Sequence, residues 1–264
     1  MIKVGVVGAL GKMGKEVVNA ILNDKDTELV MAVDIAGVGT DAGIAASSKE
    51  CGVLVENDIE KAIKTKTPDI IIDFTQPNGI YDHVCTYLNN KVKSVIGTTG
   101  LKSEQLKQIE ILSKEKNTGC FIAPNFSTGA VLLMMFAKQA SKYFKNAEII
   151  ELHHNQKKDA PSGTAIKTAQ LMAEENPDFT IGNCPETELI QGSRGGVSEA
   201  NVHIHSVRMP GYIASQEVIF GAQGQIFKMA HHSMNRTCYM DGILMAVKYL
   251  NDNNSFVYGL DNIM

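Results

Sequence analysis

The 264-residue chain has no tryptophan, and nowhere does it approach the roughly 20 uninterrupted apolar residues that a membrane helix needs. A spanning helix is excluded, and no membrane partner is expected. Blocks of like charge are also missing. With 25 Lys plus Arg against 29 Asp plus Glu, a net charge of −4, there is neither a basic arm nor an acidic tail, so nucleic acid is not an expected partner. The five cysteines, Cys51, Cys85, Cys120, Cys184 and Cys238, form no CxxC pair and have no histidine at zinc-ligand spacing. Their odd number and wide scatter point to a reduced, cytoplasmic setting. The chain lacks a GxSxG elbow, which argues against an α/β-hydrolase. It also lacks internal repeats and low-complexity segments. What remains is 44% hydrophobic, which rules out disorder and a fibrous repeat. A chain of this size buries roughly 70–75% of its unfolded surface and often divides into two domains.

The first half alternates short β-branched runs with amphipathic ones. Strands are expected over Ile2–Val7, 28–33, 70–74, 92–96 and 119–123, with helices over 13–22, 78–88 and 103–114. Repeated βα units imply a parallel sheet covered on both faces. The opening run MIKVGVVGALGKMG is too short to span a membrane and is broken by Gly5, Gly8, Gly11 and Gly14, so it reads as a buried strand and not as a targeting segment. After Asn125 the pattern changes to α+β. A long apolar helix over 129–143 is followed by a strand over 147–153, a polar loop, a helix over 164–175 and a loop-like stretch over 176–196. Segments 201–209 and 212–220 alternate in polarity around Pro210-Gly211, a hairpin signal, and a third strand over 225–231 can join them. A last helix over 236–249 can pack back onto the first domain.

Gly8-Ala9-Leu10-Gly11-Lys12-Met13-Gly14 follows the first strand and opens the first helix, the context in which a glycine pattern becomes informative. Gly8 permits the tight turn, Gly11 lets backbone N–H groups approach a pyrophosphate, and Gly14 lets the helix lie close on the sheet; the helix N-terminus favours the anion. The GxxGxxG spacing is a variant of the usual fingerprint. Asp34 ends the second strand, where a carboxylate can accept hydrogen bonds from ribose hydroxyls. Gly97-Thr98-Thr99-Gly100 lies at the carboxyl end of a later strand, suited to line the nicotinamide half.

Proton-transfer groups concentrate in Glu151-Leu152-His153-His154-Asn155-Gln156-Lys157-Lys158-Asp159-Ala160-Pro161-Ser162-Gly163-Thr164-Ala165. Ser162 suits an N-cap, Pro161 stiffens the approach, and the free backbone N–H groups of Gly163 and Thr164 form a carboxylate cradle. Lys157 adds a positive charge, and His153 or His154 can exchange a proton near neutrality. His203 and His205 share a strand face but lack a third metal ligand of convincing spacing, so no metal is expected. His231 and His232 point to opposite faces, and at most one of them serves a single site. His83 reads as a structural helix residue.

These residues together resemble the 4-hydroxy-tetrahydrodipicolinate reductase (dihydrodipicolinate reductase) family of bacterial lysine and diaminopimelate synthesis. The resemblance runs nearly end to end: GALGKMG, Asp73-Phe74-Thr75 with Pro77, the GTTG turn, Ala123-Pro124-Asn125-Phe126-Ser127, HHNQKKDAPSGTA, Ser206-Val207-Arg208 and Arg236. The HHxxKxDAPSGTA segment is the specific part. The resemblance implies a nicotinamide cofactor held by Gly8, Ala9, Leu10, Gly11, Lys12, Met13, Asp34, Gly97, Thr98, Thr99, Ala123, Pro124, Asn125 and Phe126. It implies a cyclic dicarboxylate on His154, Gly163 and Thr164, with His153 as proton donor or acceptor and Lys157 as proton donor. Asn155 and Gln156 stand where many relatives carry basic or imidazole side chains, and Ile35 stands where some carry Arg. With Asp34 facing the ribose and no guanidinium beside it, NADH is expected to be preferred, with NADPH possible.

The expected fold is therefore α/β: a Rossmann-type parallel-sheet domain (1–124 completed by 237–264) with a second α+β domain (125–236) for substrate binding and oligomerisation. The resemblance implies a homotetramer built through the second domain's sheet. An amino-acid dehydrogenase of similar plan would have no use for the HHxxKxDAPSGTA segment, and an NADH-sensing module would need neither His153 nor Lys157.

Overall fold

The β-branched run Ile2–Val7 forms β1, buried over its last four residues, and Gly8 ends it with a left-handed φ of +79°. In the computed structural model, which describes residues 1–182 and 184–264, this strand begins a regular βα alternation. It continues through α1 (Lys12–Asn23), β2 (Thr27–Val33), α2 (Ala42–Ala45), β3 (Val55–Glu56), α3 (Ile59–Lys66), β4 (Ile70–Asp73), α4 (Ile80–Asn89), β5 (Lys93–Ile96), α5 (Ser103–Lys116) and β6 (Cys120–Ile122). There follow α6 (Thr128–Ser141), β7 (Asn146–His153), α7 (Gly163–Glu175), β8 (Gly196–Val197), β9 (His203–Arg208), β10 (Ala214–Ala222) and β11 (Gln225–Ser233). A short 3₁₀ turn then leads to α8 (Met240–Asp252) and β12 (Phe256–Tyr258). No helix among the described residues is long and apolar enough to cross a membrane.

Two compact units result, Met1–Ser127 with Tyr239–Met264, and Thr128–Cys238. The first carries a seven-stranded parallel sheet in the order β12-β6-β5-β4-β1-β2-β3. Its central strands are apolar on both sides, with Ile70, Ile71 and Ile72 fully buried, as helices on both faces require. Lys248 of α8 pairs with Asp24 and Asp26 at 3.1 and 2.9 Å, fixing the returning chain beside the end of α1. The fold is α/β, as expected.

The second unit is a mixed sheet ordered β11-β10-β7-β9-β8. Ile149, Ile204, Val218 and Phe220 project from it onto Leu133 and Ala137 of α6 and Ala165, Ala169 and Met172 of α7. Here one expectation fails: Pro210-Gly211 is not a tight hairpin. β10 pairs with β7 antiparallel, and β9 pairs with β7 parallel, so β7 lies between the two strands that the turn connects. Gly211 does reverse the chain, with φ +99°, but the reversal passes over the end of a third strand. The two-residue hairpin is Gln223-Gly224, where Ala222 faces Gln225 and Gly224 has φ +76°. Segment 225–231 accordingly pairs with β10 alone. Between α7 and β8 no helix or strand occurs among the described residues; Asn183 lies outside them.

Candidate active site

Leaving β1, the chain builds β2 and β3 to one side and β4, β5 and β6 to the other, so the order of strand addition switches sides between β1 and β4. The carboxyl ends of these strands flank the crevice where open α/β sheets bind ligands. Gly8 opens this crevice, and a Cβ there would stand 2.8 Å from the Phe74 carbonyl oxygen. At Gly14 a Cβ would be only 1.9 Å from the Gly8 carbonyl oxygen, so this glycine seats α1 on the turn. Gly11 is the N-cap of α1 and makes no side-chain cap, which leaves the first-turn N–H groups of Lys12 and Met13 open to an anion. Asp34 is tied into the same loop: its Oδ2 accepts from Leu10 N at 2.8 Å and its Oδ1 from Ala36 N at 3.2 Å. Each carboxylate oxygen retains a lone pair for a hydroxyl. These residues fit a dinucleotide: an uncapped helix start for phosphates and an acceptor one strand away.

Behind the loop lies a buried cluster. The Asp73 carboxylate accepts from Tyr87 Oη at 2.6 Å, Thr75 Oγ1 at 2.7 Å, Thr75 N at 2.9 Å and His83 Nδ1 at 3.1 Å. The hydrogen bond to Asp73 raises the His83 pKa against the opposing effect of burial. Thr98 Oγ1 donates to the Thr75 carbonyl at 3.2 Å, and a Cβ on Gly97 would meet the Phe74 ring at 2.1 Å. The GTTG turn is thus anchored inward through Gly97 and Thr98, while Thr99 is exposed. Ala123 and Pro124 line one cleft with Thr98, Thr99 and Tyr258. Asn125 Oδ1 accepts from Ser127 N at 2.8 Å, and the buried Phe126 ring packs on Phe74 and Phe121 at centroid distances of 6.1 and 6.0 Å. The Phe126 ring is therefore a packing group, and its carbonyl lies against Gly242, where a Cβ would stand 2.1 Å from it.

In the second unit, β7 delivers His153 at its last position and the following loop delivers the rest. Ser162 caps α7, its Oγ accepting from Ala165 N at 3.2 Å, so the N–H groups of Gly163 and Thr164 remain without intrahelical acceptors. A Cβ on Gly163 would meet nothing within 4 Å, so that helix start faces open space. Lys157 Nζ donates to both oxygens of Asp159 at 2.8 Å, and this hydrogen bond holds the Asp159 carboxyl below the usual carboxylate range. His154 Nδ1 accepts from Gln156 N at 3.2 Å. His153, His154, Lys157, Gly163 and Thr164 thus lie on one continuous segment, from the end of β7 to the start of α7.

Glu151, Arg208 and Asp159 pair with the residues of this segment, and the sequence named them without giving them a role. Glu151 is fully buried, and its Oε2 accepts from His153 Nδ1 at 2.5 Å and Arg208 Nη1 at 2.8 Å. Its Oε1 accepts from Arg208 Nη2 at 2.7 Å and Ser162 N at 3.2 Å. Burial works against the charged carboxylate, but hydrogen bonds from His153, Arg208 and Ser206 outweigh it and bring the pKa down to about 2. By contrast, His205 is occupied by Glu148 at 2.7 Å and stacks on His203. Among the described residues no group of three or more His, Cys, Asp or Glu is placed to hold a metal.

Known proteins match both units. The model of the dihydrodipicolinate reductase N-terminus matches residues 2–126, and that of its C-terminus matches residues 129–264. A 4-hydroxy-tetrahydrodipicolinate reductase from Gloeothece citriformis is 47% identical over 269 aligned residues, covering 100% of this chain and 98% of the relative. Another, from Carboxydothermus hydrogenoformans, is 46% identical and covers 100% of both. The solved structure of dipicolinate-bound dihydrodipicolinate reductase from Paenisporosarcina sp. TG-14 superposes with a TM-score of 0.89 at 43% identity, again over 100% of both chains. An amine dehydrogenase from Mycobacterium smegmatis, at 13% identity and a TM-score of 0.66 over 94% of this chain and 92% of its own, shares the fold alone. Matched over both units and by relatives along its whole length, the chain belongs to the dihydrodipicolinate reductase family.

Proposed function

We propose that this chain reduces 4-hydroxy-tetrahydrodipicolinate (dihydrodipicolinate) to tetrahydrodipicolinate in lysine and diaminopimelate biosynthesis, as an NAD(P)H-dependent oxidoreductase. The observation that supports this reading is the segment 153–164, which carries two histidines, a lysine and an open helix start within twelve consecutive residues. A cyclic dicarboxylate suits that set. Gly163 N–H, Thr164 N–H and His154 bind its carboxylates, Lys157 supplies positive charge and a proton, and His153 donates or accepts a proton. Gly8 through Met13, Asp34, Gly97 through Thr99 and Ala123 through Phe126 hold the nicotinamide cofactor, which when bound supplies the hydride. Ile35, at 98% exposure, offers no guanidinium to a 2′-phosphate, while Asp34 repels one, so NADH is preferred and NADPH is the poorer donor.

The oligomer is a homotetramer built on the sheet face of the second unit opposite α6 and α7. That face carries Ile219, Ile226 at 77% exposure and Val197 at 51%, apolar groups that an interface of copies would cover. All five cysteines are free thiols, in keeping with a cytoplasmic location. The test is nicotinamide absorbance while a dihydrodipicolinate synthase generates the unstable substrate from pyruvate and aspartate semialdehyde. Synthase-dependent oxidation of NADH is expected; its absence with either cofactor overturns the reading.

A further inference from the structure

We propose that Glu151 and Arg208 form a charge-balanced clamp that holds His153 in one tautomer, with Nε2 as its sole proton-exchanging atom. This rests on the reading of His153 as the proton-transfer group. The two residues are positioning residues, and the clamp follows from strand geometry. Residues two apart share a face of a strand, so Glu151 and His153 of β7 project the same way. In the parallel pairing of β7 with β9, His153 stands opposite Arg208 and Glu151 opposite Ser206. Arg208 therefore reaches both oxygens of Glu151, at 2.7 and 2.8 Å, from the neighbouring strand.

The carboxylate is acceptor-only in its ionised form, so the hydrogen bond between Glu151 Oε2 and His153 Nδ1 requires the hydrogen on Nδ1. Nε2, the other ring nitrogen, is then the atom left to gain or lose a proton. Charge balance follows from the count. The one negative charge of Glu151 is matched by the one positive charge of Arg208, so the hydrogen-bonded pair beside the ring carries no net charge. Arg208 is itself held, Nη1 donating to the Val207 carbonyl at 2.8 Å and Nη2 to the Asp159 carbonyl at 2.7 Å. Ser162 N donates to Glu151 Oε1 at 3.2 Å. One carboxylate thus connects the histidine to the cap of α7, while Arg208 connects it to the turn bearing Lys157. On the sheet face that His153 shares, the register aligns it with Arg208 of β9, Ala214 of β10 and Ser233 of β11, and aligns Glu151 with Ser206, Gln216 and His231; His154, Lys157 and Asp159 follow His153 in the chain.

The clamp makes a signed prediction. Removing the negative charge in Glu151→Gln leaves His153 beside Arg208 alone, and the limb of the kcat pH profile that reports His153 moves to lower pH by about one unit or more, the usual size for a charge within 4–6 Å. Removing the positive charge in Arg208→Gln moves the same limb to higher pH, and Arg208→Lys, which keeps the charge, leaves it nearly in place. A purely structural pair would lower kcat in both variants without displacing the limb in opposite directions. Nitrogen NMR of ¹⁵N-histidine-labelled wild-type protein provides a second readout that needs neither turnover nor a variant. Neutral His153 is expected to carry its hydrogen on Nδ1; a neutral ring with its hydrogen on Nε2 overturns the clamp. Absence of wild-type turnover combined with the expected tautomer would overturn the substrate reading and leave the clamp standing.

Discussion

Gly14→Ala separates a glycine required by the fold from one required by the ligand. A Cβ at this position would lie 1.9 Å from the Gly8 carbonyl oxygen and 2.8 Å from Ala9 Cα, all backbone atoms. The turn cannot yield easily, because Gly8 N and Ala9 N donate to the Val33 carbonyl at 2.9 and 3.1 Å and Leu10 N donates to Asp34. The helix must move instead. Opening the contact to an ordinary separation lifts the start of α1 by about 1.5 Å and draws Val17 and Val18 off the sheet. Overpacking of this kind costs about 1–3 kcal/mol. With the loosened valine packing the total is about 3 kcal/mol, which at roughly 2–4 °C per kcal/mol lowers Tm by about 6–12 °C. Displacing two phosphate-facing N–H groups by more than 1 Å removes about 3 kcal/mol of charge-assisted hydrogen bonding, or roughly a hundredfold in NADH Kd. Gly11→Ala is the control. Its φ of −65° suits any residue and its Cβ would approach only the Gly8 oxygen, at 3.2 Å, so stability falls by no more than about 1 kcal/mol while NADH affinity still drops. Thermal unfolding by circular dichroism and NADH titration by fluorescence measure the two effects. A Gly14→Ala protein with wild-type Tm and Kd would refute the steric argument.

His153→Ala and Lys157→Ala are each expected to lower kcat by about two orders of magnitude with NADH Kd unchanged, and His154→Ala to raise KM; steady-state kinetics with near-normal kcat would remove His153 and Lys157 from the chemistry. The kcat/KM ratio should favour NADH over NADPH at fixed ionic strength, and Ile35→Arg should move it toward NADPH; a wild-type preference for NADPH would give the Asp34 argument the wrong sign. Glu151 has its carboxyl lowered to about 2 in the fold from 4.5, so its stabilisation of roughly 3 kcal/mol is complete above about pH 4.5 and lost as pH falls toward 2. Denaturant titrations of wild type and Glu151→Gln from pH 7 to 2 should draw together only in the last two units toward the acid end, and a difference independent of pH would count against the ionised clamp. If the proposed tetramer forms on the exposed sheet face, Ile226→Glu should shift light-scattering mass toward smaller species, and a monomeric wild type would overturn that proposal.

Much of the first unit was legible because local and global signals coincide there. The run ending at Gly8 gives a strand whose observed bounds, Ile2–Val7, match expectation, and the apolar stripe of α1 places Val17, Val18 and Ile21 on the sheet. What escaped was short. β3 and β8 have two residues each, β12 three, and α3 buries only Ala62 and Ile63 over eight residues, too few to establish a period. α3 did carry a signal in Asp58, whose side chain accepts from Lys61 N at 2.9 Å as its N-cap. The Pro210-Gly211 misreading has a different origin. Turn chemistry reports that a chain reverses, whereas which strand occupies the gap between the two arms depends on contacts distant in sequence, here those of β7.

The same distinction explains the site. Its proton-transfer groups and helix cap were legible because they are contiguous in one loop, so no tertiary information is needed to bring them together. Glu151 was visible as a residue but not as a partner, because its second contact, Arg208, lies 57 positions away and is positioned by the β7–β9 register. A clue is present in β7 itself. Its core face runs Ala147, Ile149, Glu151, His153, apolar for two positions and then ionisable for two. A buried strand face does not turn ionisable without compensation, because a lone buried carboxylate is strongly disfavoured. The change within one face therefore requires that the strand leave the apolar core at Glu151 and meet a cation there. Asp73 follows the same logic at the end of β4, where a fully buried carboxylate finds Tyr87, His83 and Thr75. In both units the acid at the carboxyl end of a buried strand marks where packing ends and the site begins.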